Sequence, residues 1–155
     1  MKKYIKFILL IMVATILSGC GKKLDTIECG FESNQSDYKI KTNYKIYYRD
    51  KIVEKVDIDE VIISSNKDKI EEFNKSFKNQ YDSNNSMYGG YIYDIKANKD
   101  KLELSVNIDY TSFNMKKFVS DNPAMKEYVN KDNKLTLDGI INMYEASGST
   151  CNKNE

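Results

Sequence analysis

The segment YKIKTNYKIYYR at residues 38–49 alternates between two kinds of side chain along its whole length. Successive side chains of a β-strand point to opposite faces of a sheet, so strict alternation predicts a strand with one buried and one solvated face. The face predicted to be buried carries Tyr38, Ile40, Thr42, Tyr44, Ile46 and Tyr48. The solvated face carries Lys39, Lys41, Asn43, Lys45, Tyr47 and Arg49.

Two hairpins follow from the same periodicity. Arg49-Asp50-Lys51 connects the first strand to a returning strand over residues 52–64, in which acidic residues at 57, 59 and 60 predict a β-bulge. Residues 91–97 and 102–110 alternate in the same way around the turn Asn98-Lys99-Asp100. A short strand at residues 26–31 precedes both hairpins, so the sequence predicts about five antiparallel strands.

Helical periodicity is clearest in two places, and Phe113, Met115, Phe118 and Val119 suggest a further short helix that Pro123 ends. After a predicted N-cap at Ser65 or Asn66, Ile70, Phe73, Phe77 and Tyr81 recur on one face, and the polar residues 82–86 predict a loop after this helix. A last helix begins at the N-cap Thr136, with Asp138 in its first turn, and ends at Gly148. Its predicted buried stripe is Leu137, Ile140, Ile141 and Tyr144. The predicted fold is α+β, with helices packed on one face of the antiparallel sheet.

The first 20 residues have the pattern of an export signal. Three lysines precede an apolar run at residues 7–16, which is too short to span a bilayer comfortably. Leu17-Ser18-Gly19-Cys20 resembles the lipobox of bacterial lipoproteins, which implies cleavage before Cys20 and attachment of lipid to its thiol. We therefore expect a cleaved signal at 1–19, a lipidated tether at 20–25 and one domain at 26–155, on the outer face of the cell membrane. An ordinary signal with an incidental Cys20 is the alternative.

The composition of the exported chain disfavours several kinds of ligand and activity. Cleavage would leave 136 of the 155 residues, with 21 basic and 23 acidic side chains. This balance gives no large positive field for binding nucleic acid. The absence of histidine removes the usual general base and the commonest metal ligand. We expect no cofactor, no metal and no enzymatic activity.

The two remaining cysteines, Cys29 and Cys151, lie near the two ends of the domain. Exported chains meet an oxidising environment, which favours a disulfide between them. Two free buried thiols are the alternative. A redox-active pair is disfavoured because no C-x-x-C spacing is present.

Three groups of residues are candidates for binding. The first group is the acidic set Asp57, Asp59 and Glu60, whose carboxylates suit half of an acid–base pair or a calcium site. The set lacks the ligand spacing of an EF-hand loop. Carboxylates that are solvated or paired with side chains of a neighbouring strand are therefore the favoured interpretation. The lysine face of residues 38–48, with Tyr47, suits a polyanion of the cell wall unless neighbours such as Glu54 balance it. The loop Tyr88-Gly89-Gly90-Tyr91, with Tyr93 beyond it, suits a sugar or peptide ligand. Its alternative is a turn at the two glycines with packed tyrosines.

The chain resembles the YehR-like family of small bacterial lipoproteins. The resemblance rests on the lipobox, the two hairpins with their Asp-Lys turns, the helix between them and the final helix leading through Gly148 to Cys151. The resemblance covers most of the domain, with residues 113–134 matching least. It implies an α+β domain with one helix-covered face, and it implies no catalytic residues.

We expect a lipid-anchored surface protein with a non-catalytic binding or structural role in the envelope. Its expected partners are the membrane, through Cys20, and a component of the cell wall or an envelope protein. A ligand-binding lipoprotein of a transporter is one alternative, although 136 residues give one lobe rather than two. A cell-wall enzyme that uses carboxylates or tyrosines instead of histidine is the other.

Overall fold

A computed structural model of the chain describes residues 23–152. The predicted signal at 1–19 and the predicted lipidation site Cys20 lie outside the described residues. The predicted domain, apart from its last three residues, lies within them.

The described residues form one six-stranded sheet in which every neighbouring pair is antiparallel. The strands are β1 (Asp25–Asn34), β2 (Lys39–Arg49), β3 (Ile52–Ile63), β4 (Tyr91–Ala97), β5 (Lys101–Asp109) and β6 (Thr150–Cys151). Their order across the sheet is β4-β5-β3-β2-β1-β6. The predicted α+β fold with a sheet of about five strands is confirmed, and β6 is the short additional strand.

Within residues 23–152, three α-helices and one 3₁₀-helix connect or follow the strands. They are α1 (Lys67–Tyr88), α2 (Met115–Asp121), the 3₁₀-helix Pro123–Tyr128 and α3 (Leu137–Ala146). The predicted N-caps are confirmed, since the side chain of Asn66 accepts from the Asp68 N–H and that of Thr136 accepts from the Gly139 N–H. Gly148, at φ 92°, follows the end of α3 as predicted.

Helix α1 is longer than the sequence predicted. The expected loop at residues 82–86 is wrong, because these residues are helical and α1 ends only at Gly89, whose N–H donates to the Asn85 carbonyl at 2.9 Å. No glycine or proline interrupts residues 67–88. Tyr88 lies two turns beyond Tyr81 and is buried, so the apolar stripe continues across the polar segment.

The predicted bulge in β3 is also wrong in position. The register shift lies between Tyr47 and Tyr48, opposite Val53 and Lys55, rather than at residues 57–60. From Val56 to Ile62 the alternation is uninterrupted, so Glu60 points to the same face as the buried Val56 and Ile62.

The helices cover one face of the sheet, as predicted. Helix α1 packs against β4, β5 and α2, whereas α3 packs against the 3₁₀-helix and β6 and stacks Tyr144 on Tyr44 of β2. The two long helices thus occupy different halves of the covered face. The buried stripe predicted for α3 is confirmed at all four positions.

Candidate functional site

Cys29 and Cys151 are joined by a disulfide between directly opposed residues of β1 and β6. The two positions are 122 residues apart in sequence, and Cys29 is 3% exposed. The bond therefore fastens the last strand to the first, at one edge of the sheet. It is a structural bridge within the described residues, remote from the glycine loop after α1.

The loop at residues 88–91 lies against an aromatic cluster. Tyr88 is 7% exposed, contacts Phe113 and Phe118, and donates a hydrogen bond from its hydroxyl to Asp121 at 3.1 Å. Both glycines have positive φ, and a Cβ at Gly90 would lie 2.7 Å from the Asp109 carbonyl oxygen. Tyr91 is half-buried. These contacts are those of a turn with packed tyrosines, in which Tyr88 is buried while Gly89, Gly90 and Tyr91 stay partly exposed.

The lysine face of β2 is balanced by carboxylates on the neighbouring strands. The pairs are Lys41–Glu32 at 2.8 Å, Lys45–Glu28 at 3.7 Å, Arg49–Glu54 at 3.2 Å and, on β3, Lys55–Asp57 at 3.1 Å. Lys45 and Lys55 also lie over the ring of Tyr47. Because these charges are paired, three of them across strands and Lys55–Asp57 within β3, the face offers little net positive charge to a polyanion.

The three acidic residues of β3 divide between the two faces of the sheet. Asp57 and Asp59 lie on the uncovered face, where Asn107 donates to Asp57 at 2.6 Å and Ser105 donates to Asp59 at 2.7 Å. Glu60 lies on the helix-covered face. Across residues 23–152 no set of three or more His, Cys, Asp or Glu side chains is arranged to hold a metal ion.

The uncovered face has a shallow polar depression of about 300 Å³ above β1, β2 and β3. Gly30 contributes to it because nothing lies within 4 Å of where its Cβ would be. Asn43 and Asp59 also line it, and Lys45 and Asp57 on its rim are already paired with carboxylate or lysine neighbours. This depression can accept hydrogen bonds but has little enclosure.

The most unusual group in the described structure is Glu60. Its Oε2 accepts a hydrogen bond from Thr42 Oγ1 at 2.8 Å, and Thr42 is 1% exposed. Glu60 itself is half-buried, on a face otherwise occupied by apolar and aromatic side chains. A carboxylate in such a position is costly unless a cation or several hydrogen bonds compensate it.

Tyrosines from three elements lie on the same helix-covered face as Glu60. Tyr44 of β2 stacks on Tyr144 of α3 with ring centroids 4.1 Å apart. Tyr81 of α1 contacts Tyr93 and Tyr91 of β4 at 5.5 and 5.9 Å. Thr42, Tyr44, Glu60, Tyr81 and Tyr144 form what we call the Glu60 cluster.

The surroundings of the cluster raise the pKa of each of its titratable groups. Burial raises the pKa of the Glu60 carboxyl, and the Thr42 hydrogen bond only partly opposes this effect. Burial raises the pKa of Tyr44 and Tyr81, and the nearby Glu60 carboxylate raises both further. Burial likewise raises the pKa of Tyr144, with smaller contributions from the other tyrosines. The phenols of the cluster are therefore neutral at neutral pH.

Sequence reasoning grouped Glu60 with Asp57 and Asp59 and missed its tyrosine surroundings. One signal was available, because Val56, Ile58, Glu60 and Ile62 keep the period of two and place Glu60 in line with core residues. The approach of Tyr81 and Tyr144 was not available from local patterns, since it depends on how α1 and α3 share the sheet.

Two solved structures resemble this fold. One is the NMR structure of a protein from Streptococcus pneumoniae TIGR4, with 16% sequence identity, a TM-score of 0.50, and coverage of 85% of this chain and 87% of that chain. The other is the NMR structure of E. coli YehR, with 15% identity, a TM-score of 0.53, and coverage of 87% and 95%. No family model and no curated protein matches the sequence. At these identities the likeness concerns the fold, which is YehR-like.

Among the helices at residues 23–152, none combines the length and apolar character that crossing a bilayer requires.

Proposed function

We propose that this chain is a lipid-anchored, non-catalytic binding protein on the outer face of the bacterial cell membrane. The Leu17-Ser18-Gly19-Cys20 motif supports the anchor, and the YehR-like fold supports a place among the YehR-like small lipoproteins. The observation that carries the binding role is Glu60, a half-buried carboxylate among tyrosines on the helix-covered face.

Glu60 is poorly explained by stability alone. The positions two residues before and after it on the same face are Ile58 and Ile62, and an apolar residue at position 60 would continue that surface. Replacing a buried ionic group with an apolar residue is often neutral or stabilising. A carboxylate that costs folding free energy is better explained by contact with a ligand.

Binding is favoured over catalysis by the arrangement of the acidic residues. A histidine-independent hydrolase would need a second carboxylate or an activated nucleophile beside Glu60. Tyr44 and Tyr81 do not meet this need, because their raised pKa makes the phenols weak nucleophiles. The neighbouring carboxylates of β3, Asp57 and Asp59, lie on the opposite face of the sheet. The Thr42 hydroxyl donates a hydrogen bond to Glu60, and Thr42 is 1% exposed, so this hydroxyl positions the carboxyl group and is not accessible to a substrate.

The binding role is tested by thermal-shift screening of the purified chain against sugars, amino acids, amines and short peptides. A ligand of the Glu60 cluster should raise the melting temperature of the wild type and of Asp59→Asn, but not that of Glu60→Gln. Asp59→Asn is the matched control, because it removes a carboxylate one residue away on the other face. A screen in which no compound depends on Glu60 would contradict the binding role of this cluster.

The anchor is tested separately. Replacing Cys20 with Ser should move the protein from the membrane fraction to the soluble extracytoplasmic fraction, because two acyl chains give stable anchoring whereas none remain in the variant. Fractionation followed by immunoblotting measures the change. Cys29→Ser is the control for loss of a thiol, and continued membrane association of Cys20→Ser would refute the lipid anchor.

A further inference from the structure

We propose that the Glu60 cluster binds a small organic cation of the alkylammonium type. The inference rests on the binding role proposed above and names the chemical class of the ligand. Three observations carry it: the charge of Glu60, the aromatic rings beside it and the access of solvent to both.

The first observation is a carboxyl group with no positively charged partner. Between residues 23 and 152, nine ion pairs join lysine or arginine to carboxylates, and none of them includes Glu60. The carboxylate has one hydrogen-bond donor, Thr42. A cationic ligand would compensate the remaining charge, whereas an anionic ligand would be repelled by it.

The second observation concerns the rings. Cations are attracted to the faces of tyrosine rings, and ligand ammonium groups use this interaction in aromatic sites. In the described chain, lysines lie over the rings of Tyr47 and Tyr88 but not over those of Tyr44, Tyr81 or Tyr144. The rings beside Glu60 are thus not occupied by the protein's own cations.

The third observation is access. Tyr44, Ile58, Glu60 and Tyr81 are half-buried, although they lie on the face that the helices cover. Helix α1 packs on β4 and β5, whereas α3 packs on the 3₁₀-helix and β6, so the partly exposed Tyr44, Ile58 and Glu60 belong to the strands between these two halves. Along α1, Phe73 and Phe77 are likewise half-buried and extend the aromatic surface beside Glu60.

The rings also favour an organic cation over a metal ion. Hard metal ions require several oxygen ligands, and residues 23–152 hold no suitable group of side chains. Glu60 supplies one carboxylate, and its neighbours supply mainly aromatic carbon. An alkylammonium group presents a diffuse charge on an apolar surface, which fits both kinds of neighbour.

The test uses tetramethylammonium chloride as the probe and the full chain purified in a neutral detergent. Tyrosine-selective ¹³C labelling lets NMR follow the ring signals of Tyr44 and Tyr81, with Tyr47 on the uncovered face as the internal reference. Titrations are run on the wild type, Glu60→Gln and Asp59→Asn. Sodium chloride controls for ionic strength, and tert-butanol controls for a neutral molecule of similar shape.

We expect saturable shifts at Tyr44 and Tyr81 in the wild type and in Asp59→Asn, with at least a tenfold weaker affinity in Glu60→Gln. Equal affinity in Glu60→Gln, equal shifts with sodium chloride, or no saturable shift would each overturn the inference. If tetramethylammonium fails while a neutral or anionic compound from the thermal-shift screen depends on Glu60, the ammonium specificity is wrong and the binding role stands.

Discussion

Lys51 holds an unfavourable backbone conformation in the first hairpin. The connection between β2 and β3 has two residues, and Asp50 and Lys51 have φ of 49° and 63°. Positive φ at both positions is typical of a type I′ turn, in which glycine is strongly preferred at the second position.

Replacing Lys51 with Gly should therefore stabilise the fold by about 0.5–1 kcal/mol, because relief of the left-handed conformation outweighs the added freedom of the unfolded chain. Urea denaturation measures the change in the free energy of unfolding. Lys99→Gly is the control, since Lys99 lies in the second hairpin turn and does not have positive φ. An equal gain at both positions would refute the conformational explanation.

Glu60 should make stability depend on pH in a defined direction. Its pKa in the folded state is raised by burial above its ordinary value of 4.5. The folded state therefore holds this proton more tightly than the unfolded state, and stability falls as pH rises from 4.5 through the folded-state pKa.

Glu60→Gln keeps an acceptor for Thr42 but carries no charge, so it should raise the free energy of unfolding by about 1 kcal/mol at pH 7. The gain should shrink as the pH approaches 4, where the wild-type carboxyl is increasingly protonated. Urea denaturation at several pH values measures both effects. A gain that stays constant between pH 4 and pH 7 would contradict the role of the charge.

At the scale of elements, Gly139 shows why α3 lies where it does. A Cβ at this position would lie 2.2 Å from the Tyr128 carbonyl oxygen and 2.7 Å from Thr136 Oγ1. The first turn of α3 therefore approaches the 3₁₀-helix as closely as a glycine permits.

In an open helix, Gly→Ala stabilises by roughly 1 kcal/mol. Here we expect Gly139→Ala to destabilise the protein by about 2 kcal/mol, since the backbone of α3 or of Tyr128 must shift to admit the methyl group. Thermal and urea denaturation measure the change. Asn142→Ala on the exposed side of α3 is the control and should be neutral or slightly stabilising.

The local patterns in the sequence predicted most elements and misplaced two details. The alternation of residues 38–49 and the stripe of α3 were sufficient because each element buries one regular face. The extent of α1 was missed because Tyr88 lies beyond five polar residues, and its burial depends on Phe113 and Phe118 from elsewhere in the chain. The bulge was predicted at the wrong position because the acidic residues suggest a break in the alternation of β3. In the structure Glu60 continues that alternation and lies on the same face as Val56 and Ile62.

The site was less predictable than the fold. Thr42 and Glu60 are 18 residues apart but face each other across a hairpin register, which the sequence specifies only once the bulge is correctly placed. Tyr81 and Tyr144 join them through tertiary packing of two helices. Sequence periodicity predicts the face of its own element on which each tyrosine lies. Only the three-dimensional structure shows that β2, β3, α1 and α3 bring these side chains to one region.

At the scale of the whole molecule, the disulfide closes almost the entire domain. A bridge between residues 122 apart can stabilise a fold by up to about 5 kcal/mol in the chain-entropy description.

We therefore expect reduction of the Cys29–Cys151 disulfide to lower the free energy of unfolding by about 3–5 kcal/mol. Urea denaturation with and without reductant measures the loss, and intact mass, which differs by two hydrogens, verifies the redox state. Cys29→Ala with Cys151→Ala should show the same loss without reductant. Alkylation of both thiols in unreduced protein would contradict the bridge itself.

The same bridge determines how the domain responds to a pull on its two ends. A load on the start of β1 acts on the pairs from Asp25 to Glu28 and then reaches Cys29, where the covalent bond passes it directly to Cys151. The intervening residues, including β2 to β5 and all the helices, lie outside this line of force. The contour length that tension can release is therefore confined to the short segments beyond the two cysteines, and the Glu60 cluster keeps its shape while the ends are under load.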